Sequence, residues 1–363
     1  MNDSPSSQQM RVSDNEFIRK ALILIGLVVF VLVLWQLANV LLLAFGAILV
    51  ALVLHALGDA LTRYLRVPPR FSLAVASILV FALFIGLAWL FGSNIRAQMN
   101  SVAEQLPIAL DAFGRKLGIG PISESLSELL SHIPSSGIAQ RIAGIGGVLI
   151  GGVTDAVLVV ISGVYIAAAP RLYVKGFVQL FPISQHERIA SALDACGQAL
   201  RLWLAAQLMS MAAVGILSTF AFWLIGLPSP HALGLILGLM DFIPFLGPVL
   251  GALPAVLISF TLGSDTVVWT LIAVVIVQQI EGNLILPMVQ RKMVSIPPAL
   301  AMFGIVIGGV VFGTLGLMLG FPLLVVCFVL VKKLYVREVL GEPTSVPGES
   351  KEEAAHASPP PPA

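Results

Sequence analysis

Two acidic residues lie in the most apolar part of the chain, where no basic residue is available to neutralise them. Between Arg201 and Arg291 the formal charges are Asp241, Asp265 and Glu281, all acidic. An unpaired acid at membrane depth costs about 2.5–3.5 kcal/mol on insertion scales, so it usually faces a cavity, a cation or a proton pathway. Asp265 follows a Gly-Ser pair and is expected to be solvated. We predict that Asp241 and Glu281 bind a coupling proton or cation; the alternatives for Asp241 are capping the next helix or occupying an interface.

Glu281 is surrounded by further polar side chains in an otherwise apolar segment. Gln278 and Glu281 are three residues apart, so they can share one face of a helix. Asn283 and Pro287 follow closely in the sequence. This concentration of polar atoms predicts a transport or ion-coupling site formed by Glu281, Gln278 and Asn283 together with Asp241, with a helix break at Pro287.

Asp241 begins a run that cannot continue as a regular helix. Pro244 and Pro248 each lack a backbone donor and clash with an earlier carbonyl group, and Gly247 lies between them. The apolar arms on either side are each shorter than the roughly 20 residues of a full span. Non-helical backbone at membrane depth is tolerated only inside protein or beside a water-filled cavity. Residues 232–262 are therefore either one long broken helix or a re-entrant hairpin with its tip near the two prolines.

A second break is predicted in the last apolar element. Residues 297–331 carry no charge and are too long for one perpendicular helix, and Gly313 and Gly316 interrupt them near the middle. If both broken elements are re-entrant, Arg291 and Lys292 fall on the cytoplasmic side, which the positive-inside rule favours; if both are full spans, these residues fall outside. Two broken elements that enter from opposite faces around one spanning helix are typical of inverted-repeat secondary transporters.

The composition requires lipid as the solvent for much of the chain. Of the 363 residues, 58% are hydrophobic and only 11% are charged, against about 25% charged residues in a typical soluble domain. This excludes soluble enzymes, secreted disulfide scaffolds and disordered chains, and Cys196 and Cys327 show no disulfide or metal spacing. The net charge of +1 gives no sign of nucleic-acid binding. Motifs of the H-E-x-x-H, G-x-S-x-G and P-loop types do not occur, so we expect neither an enzyme nor a cofactor.

The elements that must position the polar residues follow from the apolar runs. We divide the chain into a polar N-terminal segment (1–17), three N-terminal membrane helices (18–92), an extracytoplasmic amphipathic helical arm (93–141), a C-terminal membrane region with the predicted transport site (142–335) and a disordered cytoplasmic tail (336–363). The first two spans, about 18–37 and 39–58, are predicted to be separated by a turn at Gln36 and Asn39. Further spans are predicted at about 71–92, 145–168, where Pro170 ends the helix, and 202–226, after a soluble segment at 171–201.

The predicted fold class is all-α. We expect a polytopic integral membrane protein with six spanning helices and two broken or re-entrant helical elements, the alternative being eight full spans, and an amphipathic arm outside the bilayer. Glycines four residues apart are expected to make close helix contacts, as in 234/238, 304/308 and 316/320.

Lys and Arg gather in the N-terminal flank, the 59–70 linker, the 171–201 segment and the C-terminal flank. If the spans alternate, these clusters share one side, which predicts an inner-membrane protein with both termini in the cytoplasm and the arm outside. The arm is expected to pack within a homo-oligomer.

Four stretches resemble the autoinducer-2 exporter (AI-2E) family of permeases. They are GLMDFIPFLGPVLGALPA (238–255), QIEGNLILP (279–287), GTLGLMLGFP (313–322) and YIAAAP (165–170) followed by LFP (180–182), and they occur in the order of that family. The last stretch departs from many relatives, which carry an acidic residue before the turn, so no role is carried over to that turn. The resemblance implies transport across the bacterial inner membrane, with export of a signalling molecule in some members and sodium–proton exchange in others.

The sequence thus favours a secondary transporter. We expect it to move a small molecule or ion through the bilayer, driven by a proton or sodium gradient, with export as one direction. The alternative is a non-transporting oligomeric membrane scaffold built from the arm and the glycine-rich faces.

Overall fold

The structure, a computed structural model, describes residues 6–86, 152, 154–285, 296–342 and 344, and every regular element in these ranges is helical. The helices are α1 (Ser6–Leu65), α2 (Pro69–Gly86), α3 (Thr154–Ala168), α4 (Pro170–Val178), α5 (His186–Ile225), α6 (Pro230–Met240), α7 (Leu246–Leu262), α8 (Ser264–Ile280) and α9 (Pro298–Leu330). A 3-10 turn (Ile183–Gln185) precedes α5, and π-helical turns (Glu281–Ile285, Val331–Arg337) extend α8 and α9. Among the described helices, five are long and apolar enough to cross a membrane. The prediction of an all-α, multi-pass membrane protein is confirmed; the predicted arm and most of the predicted tail lie outside the described residues.

The first helix does not turn where the sequence suggested. α1 is one uninterrupted helix of 60 residues, about 90 Å long. The predicted turn at Gln36 and Asn39 is therefore wrong, and up to residue 86 the N-terminal region holds two helices rather than three. The physical reason is that amide side chains lower the hydropathy of a helix without removing a backbone donor. Neither Gly nor Pro occurs between Gly26 and Gly46 to break it.

The chain bends sharply between α3 and α5. Pro170 ends α3 as predicted and begins α4, which lies at 88° to α3. α5 runs for 40 residues from His186, so residues 186–201, expected as a soluble segment before a span, are the first part of that same helix. Cys196 and Leu200 in this part are buried in a core shared with α1 and α9. The first part of α5 therefore packs inside the bundle.

Helices α6 and α7 form a helical hairpin, named hairpin 1, with its tip at residues 241–245. The Cα of Leu237 lies 2.8 Å from the position that a Cβ of Gly251 would occupy, whereas in a straight helix these residues would be about 21 Å apart. The chain therefore reverses at the tip, and the long broken helix is excluded. With 11 and 17 residues, the arms measure about 17 and 26 Å, short of a hydrocarbon core of about 30 Å.

Helix α9 also folds back on itself, forming hairpin 2 with arms 298–312 and 314–330. Gly313 has φ 65° and ψ −145°, a non-helical conformation that breaks the helix at the predicted point. The carbonyl oxygen of Gly304 lies 3.0 Å from the position that a Cβ of Gly320 would occupy; a straight helix would separate them by about 24 Å. Gly308 and Gly316 meet in the same way. The predicted close contacts of these glycine pairs are confirmed.

The two hairpins point in opposite directions along α5. Hairpin 1 starts beyond the C-terminal end of α5 and packs back along it, with Gly238 against Gly215. Hairpin 2 is fastened to the beginning of α5, because Arg188 forms an ion pair with Glu338 and Lys333 Nζ donates to the Ser191 carbonyl oxygen at 3.0 Å. The opposed arrangement expected from the two sequence breaks is therefore present.

Three of the four basic clusters gather at one end of the bundle. The 59–70 linker meets the end of α3 in a core that includes Leu61 and Ala167, and the 171–201 segment meets the C-terminal flank at the beginning of α5. The N-terminal flank does not join them: the continuous helix between Arg19 and Arg63 is about 66 Å long. The expectation that all four clusters lie together is thus wrong for the first, because α1 does not turn.

Candidate functional site

A cavity of about 660 Å³ lies where the tip of hairpin 1 meets the base of hairpin 2. Its walls come from α5, from hairpin 1, from the end of α8 and from both arms of hairpin 2. The polar side chains that line it are Gln207, Ser210, Asp241, Gln278 and Glu281. The two acids that stand far apart in the sequence therefore share one cavity.

Ser210 connects one of the two carboxyl groups to α5. Its Oγ donates to Glu281 Oε1 at 2.8 Å, and Asp241 lines the same cavity as Ser210 and Glu281. Asp241 is only 2% exposed, and its Oδ2 has no hydrogen-bond partner among the described residues. Within the same ranges, no Lys or Arg lines the cavity. Two neighbouring carboxyl groups without a basic partner can share a proton or hold a cation.

The tip of hairpin 1 holds Asp241 at the cavity. The Asp241 N–H donates to the Leu237 carbonyl oxygen at 3.1 Å, and Gln207 Nε2 on α5 donates to the Asp241 carbonyl oxygen at 2.7 Å. Phe245 then turns the chain into α7 with φ +67°, a conformation that residues other than glycine rarely adopt. A side chain of α5 and a strained residue therefore fix the position of the tip.

The end of α8 supplies the second acid. At Glu281 the α-helix gives way to the wider π-helical turn, a local distortion that often occurs at functional sites. Gln278 lies one turn earlier and also lines the cavity, as the three-residue spacing predicts. Its Nε2 is buried and has no partner among the described residues. Asp241 Oδ2 and Gln278 Nε2 are thus two buried polar atoms available to a ligand.

The proline breaks predicted around Asp241 belong to this site. Pro244 and Pro248 line the cavity. Gly247 is buried against the carbonyl group of Met240, where a side chain would have no room. The run that breaks the helix therefore also builds the cavity wall.

The other predicted residues lie elsewhere. Asn283 is exposed, and its Nδ2 donates to the Gln279 carbonyl oxygen at 2.9 Å, away from the cavity lining. Gly313 and Gly316 lie at the tip of hairpin 2 and do not line the cavity. Pro287 lies outside the described residues. Glu281 and Asn283 point away from each other, because residues two positions apart do not share a face of a helix.

Three lining residues of α5 were missed by the sequence reasoning. Trp203, Gln207 and Ser210 are spaced by four and three residues, so they share one helical face. A tryptophan and two polar side chains at this spacing inside an apolar run could have been recognised in the sequence as part of a polar site. Trp203 is 2% exposed, and its ring centroid lies 5.8 Å from that of Phe242 and 5.6 Å from that of Phe321.

A larger groove of about 790 Å³ runs between α5 and α6 but carries no acid. Its polar side chains are Thr219 and His231, and Ile216 and Trp223 in its wall are largely exposed. An exposed apolar surface of this kind is typical of the lipid-facing side of a membrane helix. The smaller, acid-lined cavity is therefore the better candidate site.

The described fold and site define a multi-pass α-helical membrane protein with two opposed hairpins around an acidic cavity. The chain belongs to the AI-2E transporter family, whose model, AI-2E family transporter, matches residues 24–335.

The chain is similar to two proteins of Bacillus subtilis (strain 168), each named "Putative transport protein". The first, YrrI, is 26% identical over 70% of this chain and 75% of its own length. The second, YueF, is 27% identical over 77% of this chain and 80% of its own length. A Thermotoga maritima protein named "Putative transport protein" is 24% identical over 77% of this chain and 87% of its own. The family and these names indicate a transport role.

Proposed function

We propose that this protein is a secondary transporter whose coupling site is the pair Asp241–Glu281. The observation that carries the proposal is that both carboxyl groups line one cavity, in which Ser210 Oγ donates to Glu281 Oε1 at 2.8 Å. No basic side chain lines that cavity in the described part of the chain, so the charge that balances the site must come from a proton or another cation.

The opposed hairpins support alternating access. Hairpin 1 contributes Asp241 from one end of α5, and hairpin 2, anchored at the other end, contributes Phe321 and Val325 to the facing wall. A rocking motion of one hairpin against the other would open the cavity to one side at a time, as in transporters built from broken helices. The grouped basic clusters support an inner-membrane orientation with the C-terminal flank in the cytoplasm. The continuous α1 separates the N-terminal flank from these clusters, so it does not support the expected cytoplasmic N terminus.

A carboxyl pair also suits antiport. When a cation from one side binds between the carboxylates, it replaces the proton that they shared, and the proton leaves before the cavity reopens to the other side. Uptake of protons would then drive export of the solute. We infer an antiporter that exports a cationic solute or ion.

The test is gradient-driven flux in proteoliposomes. Wild-type protein is compared with Asp241→Asn and Glu281→Gln under imposed proton and sodium gradients, with a pH-sensitive dye and labelled sodium as readouts. Asp265→Asn is the matched control, because this acid lies in the first turn of α8, about 24 Å along the helix from Glu281. We expect both cavity variants to lose most of the coupled flux and the control to keep it. Full coupled flux in both cavity variants would refute the site, and a wild type without flux under any gradient would favour the scaffold.

A further inference from the structure

We propose that the solute of this cavity is a small organic cation of the substituted-ammonium class, an inference that rests on the proposed transport function and deepens it. Three properties of the cavity lead to this class: its charge, its size and its aromatic wall. Each excludes a different group of alternatives.

The charge of the lining excludes anions. Asp241 and Glu281 contribute two carboxyl groups, and the other polar lining groups, Gln207, Ser210 and Gln278, are neutral. An anion would meet carboxylates without a guanidinium or ammonium partner, an arrangement that Coulomb repulsion in a low dielectric makes strongly unfavourable. A neutral solute would leave the charge of an ionised carboxylate uncompensated. A cation compensates that charge beside Asp241 Oδ2, which is buried without a partner among the described residues.

The size of the cavity argues against a bare inorganic ion as its only occupant. Inorganic cations are held by a close shell of oxygen ligands, at about 2.3–2.6 Å for Ca²⁺. The cavity measures about 660 Å³, which falls in the range of about 300–1,000 Å³ that is typical of pockets for organic ligands. A bare ion on the carboxylates would leave most of this volume without function.

The rest of the wall suits alkyl groups around a positive centre. Trp203, Phe245 and Phe321 line the cavity beside the carboxyl pair, together with prolines and aliphatic side chains. Aromatic faces attract organic cations, and tryptophan does so most strongly. Trp203 is held in place by its ring contacts with Phe242 and Phe321. Clustered aromatic side chains are the groups with which proteins recognise quaternary ammonium ligands, and here they stand in one cavity with two carboxyl groups.

The first experiment is a binding measurement on the full-length protein in detergent. Isothermal titration with tetraethylammonium and with choline is compared with 3,3-dimethylbutan-1-ol, the uncharged isostere of choline. We expect both cations to bind and the alcohol to bind at least tenfold more weakly, because it lacks the charge. Equal binding of choline and its isostere would overturn the assignment.

Variants of the wall locate the binding. Asp241→Asn should weaken tetraethylammonium binding at least tenfold. Trp203→Leu should weaken it about fivefold to thirtyfold, whereas Trp203→Phe, which keeps a ring, should lose less. Trp223→Leu is the matched control, since Trp223 lies on the same helix but in the outer groove. Unchanged affinity in both Asp241→Asn and Trp203→Leu, with size-exclusion profiles like wild type, would overturn the site.

Labelled tetraethylammonium uptake into proteoliposomes under a proton gradient separates the two proposals. Uptake that depends on Asp241 supports both. If proton or sodium flux depends on Asp241 but neither tetraethylammonium nor choline binds or is taken up, the ammonium class is wrong and the proposed transport function is retained. Asp241-dependent binding without flux of any ion supports the ligand class and overturns transport.

Discussion

The contact between hairpin 1 and α5 makes a sharp prediction for Gly238→Ala. The position that a Cβ of Gly238 would occupy lies 2.6 Å from the Met211 carbonyl oxygen and 2.8 Å from the Gly215 Cα. Both are backbone atoms, so no side chain can rotate away to relieve the overlap. To reach an ordinary contact of 3.4 Å, α6 must retreat by about 0.8 Å from α5.

That retreat has a cost in stability and an effect on the site. Overpacking of this kind typically costs about 1–3 kcal/mol, and the better helix preference of alanine offsets up to about 1 kcal/mol of it. The same movement would lengthen the bond from Gln207 Nε2 to the Asp241 carbonyl oxygen from 2.7 Å to about 3.5 Å, the limit of a hydrogen bond. We therefore expect a net loss of about 1–2 kcal/mol and a weaker coupled flux.

The control lies on the facing helix. A Cβ on Gly215 would meet Gly234 O at 3.5 Å and Gly238 Cα at 3.7 Å, which are ordinary contacts. Gly215→Ala should therefore keep the thermal unfolding midpoint of the detergent-solubilised protein at or above that of wild type, while Gly238→Ala lowers it. If the two variants unfold at the same temperature, or if Gly238→Ala transports like wild type, the close approach inferred for hairpin 1 is wrong.

Three further predictions concern the rest of the bundle. Ser210→Ala removes the 2.8 Å hydrogen bond to Glu281, so it should cost about 1 kcal/mol and shift the pH dependence of coupled flux; an unchanged pH profile would contradict a role of this bond at the coupling site. In hairpin 2, the new methyl group of Gly308→Ala meets the backbone of the other arm, whereas that of Gly309→Ala meets a flexible leucine side chain. Gly308→Ala should therefore have the lower thermal unfolding midpoint, and equal midpoints would argue against the fold-back of hairpin 2. Arg188→Glu and Glu338→Arg should each destabilise the protein, and the double variant should recover up to about 1 kcal/mol; strictly additive effects in this double-mutant cycle would exclude a stabilising ion pair.

The positions of the two helix breaks were predictable because they depend on local rules. Pro244 and Pro248 cannot continue a helix, and Gly313 is free to adopt a positive φ, so the sequence alone locates both reversals. The choice between a broken helix and a hairpin was not readable, because it depends on contacts between residues such as Leu237 and Gly251. Those contacts exist only once the arms have packed.

The site was predictable only in part. An acid without a local partner is visible in a sequence, which is why Asp241 and Glu281 were found. Their meeting depends on how hairpin 1 and the end of α8 pack around α5, and such contacts between distant segments are not visible in the sequence. The turn predicted in α1 was wrong for the opposite reason, since Gln36 and Asn39 are polar but do not break a helix.

The short arms of hairpin 1 bear on how the protein enters its membrane. A nascent segment leaves the insertion machinery for lipid when it is apolar and long enough to span, which requires about 20 residues. α6 has 11 residues and α7 has 17, so both arms fall short of that length. We expect them to enter the bilayer together, with Gly234 and Gly238 of α6 resting against α5, which is synthesised first. On this view the glycine contacts would act during membrane insertion as well as in the finished fold.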